Sequence, residues 1–224
     1  LLSSVSHDLR SPLASMIGAA DTLSSYRHAM DEKDQDSLLE AIRLEGERLD
    51  RYIQNLLDMT RLGHDGLSLK RDWIGMDELI GSAVRRLKRY MPKAQIEVHL
   101  PEAPLSLYVH AALIEQAVFN VLENAAKFSP EHLPVTVDVA EINGAQIEVA
   151  ISDQGQGIPE DERSRIFDMF YTMERGDRGQ YGTGLGLTIV KAIVGAHMGQ
   201  ISASSGKNGK GTCIRIVLPI QQNS

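Results

Sequence analysis

The apolar residues Leu2, Val5, Leu9, Leu13, Met16, Ile17, Ala20 and Leu23 recur at three- and four-residue spacing, which predicts an amphipathic helix fading near Tyr26. At about 100° per residue, His7 falls well away from that stripe, on the side that carries Ser3 and Ser11. Asp8 stands next to it, so the polar side presents a candidate nucleophile beside its base. Pro12 withholds the hydrogen bond that its position owes the carbonyl of Asp8 and crowds that carbonyl, so a bend is expected beside the histidine. Taken alone, a His-Asp pair is more often an ordinary exposed feature of such a helix than a site.

A polar segment from His28 to Asp36 precedes a second helical pattern containing Leu38, Leu39, Ile42, Leu49, Ile53, Leu56 and Leu57. Ser37-Leu38-Leu39-Glu40 has capping-box form at its expected start, and Gly63 and Gly66 lie where it should stop. Residues 1–62 should therefore be a helical hairpin within a first domain, 1–66. Two helices leave too much apolar stripe in water, and two hairpins can close a four-helix bundle, so a homodimer is expected.

The second domain, 67–224, has a different pattern. Met76 to Lys88 reads as a helix, Ile96 to Leu100 and Leu105 to Val109 as strands, and Ala111 to Phe128 as another helix. Val135 to Ile142 and Gln146 to Ser152 alternate around Asn143-Gly144, a hairpin signal. Gly184 to His197 reads as a helix, and Gln200 to Ser204 with Thr212 to Leu218 as a closing hairpin. The sum is an α+β sandwich with helices on one face of a mixed sheet.

Composition adds exclusions. With 42% hydrophobic and 24% charged residues the 224-residue chain is built to fold. A net charge of −7 and the lack of a long Lys/Arg run argue against nucleic acid or an anionic membrane as the main partner. Arg85-Arg86-Leu87-Lys88-Arg89 reads as the solvated side of a helix. The single Cys213 allows no internal disulfide, and no Cys/His set has zinc-ligand spacing, which suggests a reducing compartment. No apolar run approaches the roughly 18 residues that span a bilayer, and no secretory signal is present. A start without methionine, inside a helical pattern, suggests a piece of something longer.

Three patterns carry chemistry. On the 111–128 helix, Gln116, Asn120, Glu123, Asn124 and Lys127 share a face opposite Ile114, Val118, Val121, Leu122 and Ala125. Asn120 and Asn124 are one turn apart, so their amide oxygens can converge on Mg²⁺ if a nucleotide's phosphates bring the negative charge, with Lys127 reaching the same phosphates. The alternative is an exposed face with two chance asparagines, although asparagine is a poor helix former. Asp153-Gln154-Gly155-Gln156-Gly157 follows a strand; Gly155 and Gly157 let the backbone approach a flat ligand while the Asp153 carboxylate accepts from an exocyclic amine such as adenine's. Such turns also arise for purely conformational reasons. Gly182-Thr183-Gly184-Leu185-Gly186 opens into a helix and offers unpaired N–H groups to phosphate, or is simply a tight helix start. Between these glycine motifs, Tyr171 to Tyr181 has the look of a mobile lid, where Arg175 and Arg178 are either phosphate contacts or solvated.

In this order, with Ile166-Phe167-Asp168-Met169-Phe170 between the last two, these motifs resemble the H, N, G1, F and G2 boxes of the sensor histidine kinase catalytic core. The resemblance covers essentially the whole chain. Leu56-Leu57-Asp58-Met59-Thr60-Arg61-Leu62 and Leu100-Pro101-Glu102 are similar to the potassium-responsive Kdp-type members. The resemblance implies an all-α hairpin forming a dimeric four-helix bundle, followed by an α+β sandwich ATP-binding domain of the Bergerat, or GHKL, type. His7 would be the phospho-acceptor and Asp8 the acid that orients and activates it. Asn120 and Asn124 would contact Mg²⁺ and the triphosphate, Lys127 would approach phosphate, and Asp153 would read adenine. Phe128 would line the base pocket, where the family often has tyrosine. Gly182, Gly184 and Gly186 would pack against the phosphates as the lid closes, with Phe167 and Phe170 as its structural anchors.

The implied reaction has the ATP-bound domain swing onto the bundle and a neutral His7 nitrogen attack the γ-phosphorus, while Asp8 holds the other ring nitrogen's proton. The phosphoryl group would then pass to an aspartate of a response-regulator receiver domain, docked partly on Arg10 and Ser11. The family likeness also places the fragment as the cytoplasmic portion of a membrane-anchored, inner-membrane sensor. One departure is Ser11, where many relatives carry Thr or Asn to position water for phosphatase activity. Two other readings are a degenerate ATP-sensing dimeric scaffold and a GHKL-type ATPase. The latter needs a glutamate where this chain has Asn120.

Overall fold

The computed structural model describes residues 2–63, 70–168, 171 and 185–221, which fall into two compact units divided between Arg61 and Leu62. The first unit is two helices, α1 (Leu2–Tyr26) and α2 (Glu32–Gly63). α1 continues through Pro12 as one helix. The second helix begins before the expected capping box at Ser37: the Asp31 carboxylate accepts the Asp34 N–H at 2.7 Å, so Asp31 is the cap. Ser37 lies inside the helix and its hydroxyl donates to the Lys33 carbonyl at 2.9 Å. A serine and a glutamate three apart mark a helix start only when no better cap precedes them, and here Asp31 does. Leu13, Ile17, Leu39, Leu44 and Ile53 are all exposed within the unit.

The second unit contains β1 (Asp72–Gly75), α3 (Met76–Tyr90), β2 (Ile96–His99), β3 (Ser106–Val109), α4 (Ala111–Phe128), β4 (Val135–Ile142), β5 (Gln146–Ser152), α5 (Gly186–Ala196), β6 (Gln200–Ser205) and β7 (Thr212–Pro219). Five strands form a mixed sheet in the order β2-β4-β5-β7-β6, with β2 parallel to β4 and every other pair antiparallel. The β4–β5 connection is the expected two-residue turn, with Asn143 at φ 56° and Gly144 at φ 65°, both in the left-handed region that such turns demand. Alternate residues Val135, Val137, Val139, Ile147, Val149, Ile151, Ile214, Ile216 and Leu218 are buried beneath the helices. Buried Met76, Leu79, Ile80, Ala83 and Leu87 repeat with helical period, so α3 turns one apolar side to α4.

Two features depart from the pattern reading. β3 does not join the main sheet; it pairs antiparallel with β1, Asp72 opposite Val109, a strand too short and too polar to announce itself. Arg86 is not on a solvated helix side. Half-buried, its guanidinium lies 4.1 Å from the centroid of the Phe119 ring, a cation–π contact between α3 and α4.

At the far end of the helix layer, His197 follows α5 and is wholly buried. Its Nδ1 sits 2.8 Å from the Ile193 carbonyl oxygen, and its Nε2 accepts the His110 backbone N–H at 3.1 Å. A carbonyl on one side and an N–H on the other fix the neutral tautomer with the proton on Nδ1. The ring thus ties the start of α4 to the end of α5, and burial holds its pKa below the ordinary histidine value. The unfolded chain takes up this proton near pH 6.5 while the folded chain resists it. His197 therefore supports the fold fully above about pH 6.5, and that support declines as the pH falls toward the lowered native value. Equilibrium urea unfolding from pH 8 to 5 should show this loss, and His197→Gln should flatten that part of the profile while costing about 1–3 kcal/mol at pH 8.

Candidate functional site

α4 packs between α3 and α5, and its polar row runs from buried at Asn120 through partly buried at Gln116, Glu123 and Asn124 to exposed at Lys127. Asn120 is only 5% exposed. Its Oδ1 accepts the Gln116 amide at 2.9 Å and its Nδ2 approaches the Gly186 carbonyl at 3.4 Å. Asn124 faces the same glycine: a Cβ placed on Gly186 would stand 3.8 Å from its Nδ2. The amide nitrogens of both asparagines therefore lie near the first residue of α5, and the oxygen of Asn120 already holds one donor. Lys127 and Glu123 lie 3.5 Å apart, so this ammonium has a local carboxylate partner.

α5 starts at Gly186 directly after Leu185, which is buried and contributes no side-chain cap. The first N–H groups of a helix have no intrahelical acceptor, which is what suits a helix start to an anion. Arg175, Gly182, Thr183 and Gly184 lie outside the described residues, as do Arg178, Met169 and Phe170. Ile166 and Phe167 are buried in a turn of 3₁₀ helix, Arg165–Phe167.

Asp153 follows β5 and is 8% exposed. Its Oδ1 accepts the Gly155 N–H at 2.8 Å and the Thr212 N–H at 3.1 Å. Burial nevertheless dominates and pushes the carboxyl above the usual Asp value, against the lowering by these two bonds and by the Thr212 side chain. A carboxylate has about four acceptor positions, so three donors leave room for one more. Glycine is required at two places around it. A Cβ on Gly155 would lie 2.4 Å from the Phe128 carbonyl oxygen, and one on Gly211, at φ +68°, 2.0 Å from the Asp153 carbonyl oxygen. The Gln154 N–H donates to the Ser129 hydroxyl at 3.2 Å, joining the loop to the end of α4. The side chain of Phe128 is exposed beside this turn.

The second unit thus brings together Asn120, Asn124 and Gly186 in one cluster, and Phe128, Asp153 and Gly155 in another. Gly157, at φ +80°, backs onto Gly211: a Cβ there would stand 3.0 Å from the Gly211 carbonyl oxygen. His7, Asp8 and Ser11 lie on α1 of the first unit, where the structure describes their helical backbone and not their side chains. Gln116, given only a place on the polar helix face, and Gly211 and Thr212 were not anticipated as part of the site. The glycine-rich turn before β7 was the available signal for the last two, and it reads as an ordinary hairpin turn until the strand order places it against Asp153.

Among the described residues no group of three or more His, Cys, Asp and Glu side chains could hold a metal ion. The neutral amides of Asn120 and Asn124 fit Mg²⁺ only as a partial ligand set, completed by phosphate oxygens, which is the usual way this ion is bound beside a nucleotide.

A layer of helices over a mixed sheet, with a pair of asparagines against a glycine helix start and a buried Asp-Gly turn after a strand, is the arrangement of a nucleotide-binding class of domain. Residues 109–222 match the family described as histidine kinase-, DNA gyrase B- and HSP90-like ATPase, and residues 1–65 match the His Kinase A (phospho-acceptor) domain. The chain is 39% identical over 220 residues to sensor protein KdpD of Clostridium acetobutylicum and 34% over 223 residues to that of Escherichia coli. These alignments take in 98% and 99% of this chain and 24% of each relative. The solved mycobacterial sensor histidine kinase MprB superposes with a TM-score of 0.59 at 34% identity, over 68% of this chain and 99% of that one. The chain belongs to the sensor histidine kinases, with the phospho-acceptor and ATP-binding domains of a protein histidine kinase and a likeness to the KdpD members.

The close approach at Gly211 makes a simple test. Gly211→Ala should destabilise the protein by more than about 1 kcal/mol, since both the backbone angle and the Asp153 carbonyl oppose the new methyl group. Thermal unfolding measures that loss, and nucleotide titration should show weakened binding through the displaced carboxylate.

Proposed function

We propose that the chain is the autophosphorylating core of a two-component sensor, in which the second unit binds Mg²⁺·ATP and His7 receives the γ-phosphoryl group. The observation that carries this reading is the presence in one chain of a His-Asp pair on a phospho-acceptor helix and a unit gathering Asp153, Asn120, Asn124 and the start of α5. Asp153 reads the exocyclic amine of adenine with its remaining acceptor capacity, and Gly155 lets the base lie against backbone beside Phe128. Asn120 and Asn124 hold Mg²⁺ together with phosphate oxygens, and Lys127 exchanges part of its pairing with Glu123 for phosphate. Bound there, the metal offsets charge on the phosphates. The turn at Gly182, Thr183, Gly184 and Leu185, running into Gly186, supplies backbone N–H groups to the phosphates, and Arg175 adds a cation.

At His7 the unprotonated ring nitrogen forms the bond to the γ-phosphorus as the bond to the bridging oxygen breaks, and ADP leaves with that electron pair. Asp8 accepts the hydrogen bond of the other ring N–H, which fixes the tautomer and stabilises the charge that develops on the imidazole. The N–P bond then passes its phosphoryl group to an aspartate of a response-regulator receiver domain docked around Arg10 and Ser11. The Ser11 hydroxyl, one turn on, holds water for the reverse duty of dephosphorylating that partner. A homodimer supports the scheme by covering the exposed Leu13, Ile17, Leu39, Leu44 and Ile53. The relatives are about four times as long, and by that likeness the chain acts on the cytoplasmic side of a membrane-anchored sensor. No helix among the described residues is long and apolar enough to cross a membrane. A GHKL-type ATPase reading is less favoured, because the neutral amide of Asn120 cannot take a proton from an attacking water. A degenerate scaffold would have no need of His7 and Asp8 together.

Incubation with radiolabelled ATP and Mg²⁺ should give protein-bound phosphate that survives base and is lost in acid. His7→Gln should abolish it, and label persisting in that variant would sink the assignment. Asp153→Asn, which replaces an acceptor by a donor toward adenine, should raise the ATP dissociation constant by at least about tenfold in isothermal titration.

A further inference from the structure

A chain of side chains reaches the candidate nucleotide site from behind and ends on Asn120 and the start of α5. The Arg86 Nη1 donates to Gln116 Oε1 at 2.7 Å, Gln116 Nε2 donates to Asn120 Oδ1 at 2.9 Å, and Asn120 Nδ2 reaches the Gly186 carbonyl at 3.4 Å. Three helices contribute: α3, then α4 twice, then the first residue of α5. Both ends of the chain have fixed polarity, since a guanidinium only donates and a carbonyl only accepts. The two amides between them can therefore satisfy every link in one orientation alone. Ordinarily an amide's oxygen and nitrogen are interchangeable; here Arg86 decides both.

Arg86 is itself held firmly. The Phe119 ring lies 4.1 Å beneath its guanidinium, and Glu115 Oε2 stands 3.7 Å from the same Nη1 that serves Gln116. Such a stacked, half-buried fork is a fixed reference point for a hydrogen-bond chain, in a way that a flexible ammonium would not be.

We propose that Arg86 and Gln116 are positioning residues for the metal–phosphate side of the nucleotide site, acting through the orientation of Asn120; this rests on the assignment of Asn120 and Asn124 to Mg²⁺·ATP made above. Gln116 occupies one acceptor position of Asn120 Oδ1 and leaves the other, with the oxygen's direction set. Asn120 Nδ2 in turn holds the carbonyl at the start of α5, so that one polarity serves both the metal-facing oxygen and the phosphate-facing helix start. Neither Arg86 nor Gln116 need touch nucleotide. Outer partners of this kind set ligand direction and basicity around metals, and their loss typically costs ten- to a hundredfold in metal affinity.

Gln116→Glu is the sharpest test, because it keeps size and strengthens the pairing with Arg86 but presents an acceptor to Asn120. The Asn120 amide must then turn, bringing its oxygen against the Gly186 carbonyl. Gln116→Met removes the link without adding charge. In the full chain, binding of a fluorescent ATP analogue is followed as Mg²⁺ is titrated, and again in EDTA. The expected result is that both variants raise the Mg²⁺ concentration for half-maximal binding about tenfold, while binding in EDTA changes less than twofold and thermal unfolding shows an intact fold. Arg86→Met should have the same effect in the wild-type background and almost none in Asn120→Ala, the sign of a shared path. Wild-type Mg²⁺ dependence in Gln116→Glu, or an equal loss with and without Mg²⁺, overturns the positioning role alone. Absence of any Mg²⁺-dependent binding by the wild-type chain overturns the site assignment and this inference with it.

Discussion

The second unit depends on one constraint: α4 is buried on three sides yet carries a polar row, and every buried polar group on it must find a partner. The sheet takes its apolar side, and α3 and α5 close over the flanks, so that Asn120 is buried and Gln116 partly so. An unmet amide in such a place costs about 1–3 kcal/mol. The cost is avoided because α3 brings Arg86 to one end of the row and α5 brings the Gly186 carbonyl to the other. In the proposed reading this polar row lies on the metal–phosphate side of the nucleotide site.

The Asp153 loop obeys the same logic with backbone in place of side chains. Asp153 is buried far enough for desolvation to raise its pKa, and it tolerates this because two N–H groups point at one of its oxygens. Those donors reach it only because Gly155 and Gly211 carry no Cβ. The glycines serve close approach of the protein to itself before they serve close approach to a ligand. Stability and recognition draw on the same atoms, which ties changes in this loop to both.

The first unit poses a different physical problem. Among the described residues of its two helices no large apolar side chain is buried, and apolar residues of both lie exposed within one chain. Function follows from that insufficiency in the proposed reading: the hairpin needs a second copy to cover Leu13, Ile17, Leu39, Leu44 and Ile53, and the polar side bearing His7 is left for nucleotide and partner.

Much of this was legible in the sequence, and what was legible was local. The 135–142 and 146–152 strands follow from alternation and an Asn-Gly turn, the asparagine pair from one-turn spacing, and the start of α5 from its glycines, because each rests on neighbours within a few residues. The cap at Asp31 was local too, and was missed only because Ser37 offered a second capping pattern a few positions on. What the tertiary structure alone decided joins residues far apart in the chain: Thr212 to Asp153 across 59 positions, Asn120 to Gly186 across 66, Arg86 to Gln116 across 30, and β3 to β1 instead of the main sheet. Periodicity states which side of an element is apolar, but not which element will cover it. For this protein the sequence determined the elements and the chemical groups, and packing determined which donor each buried acceptor received.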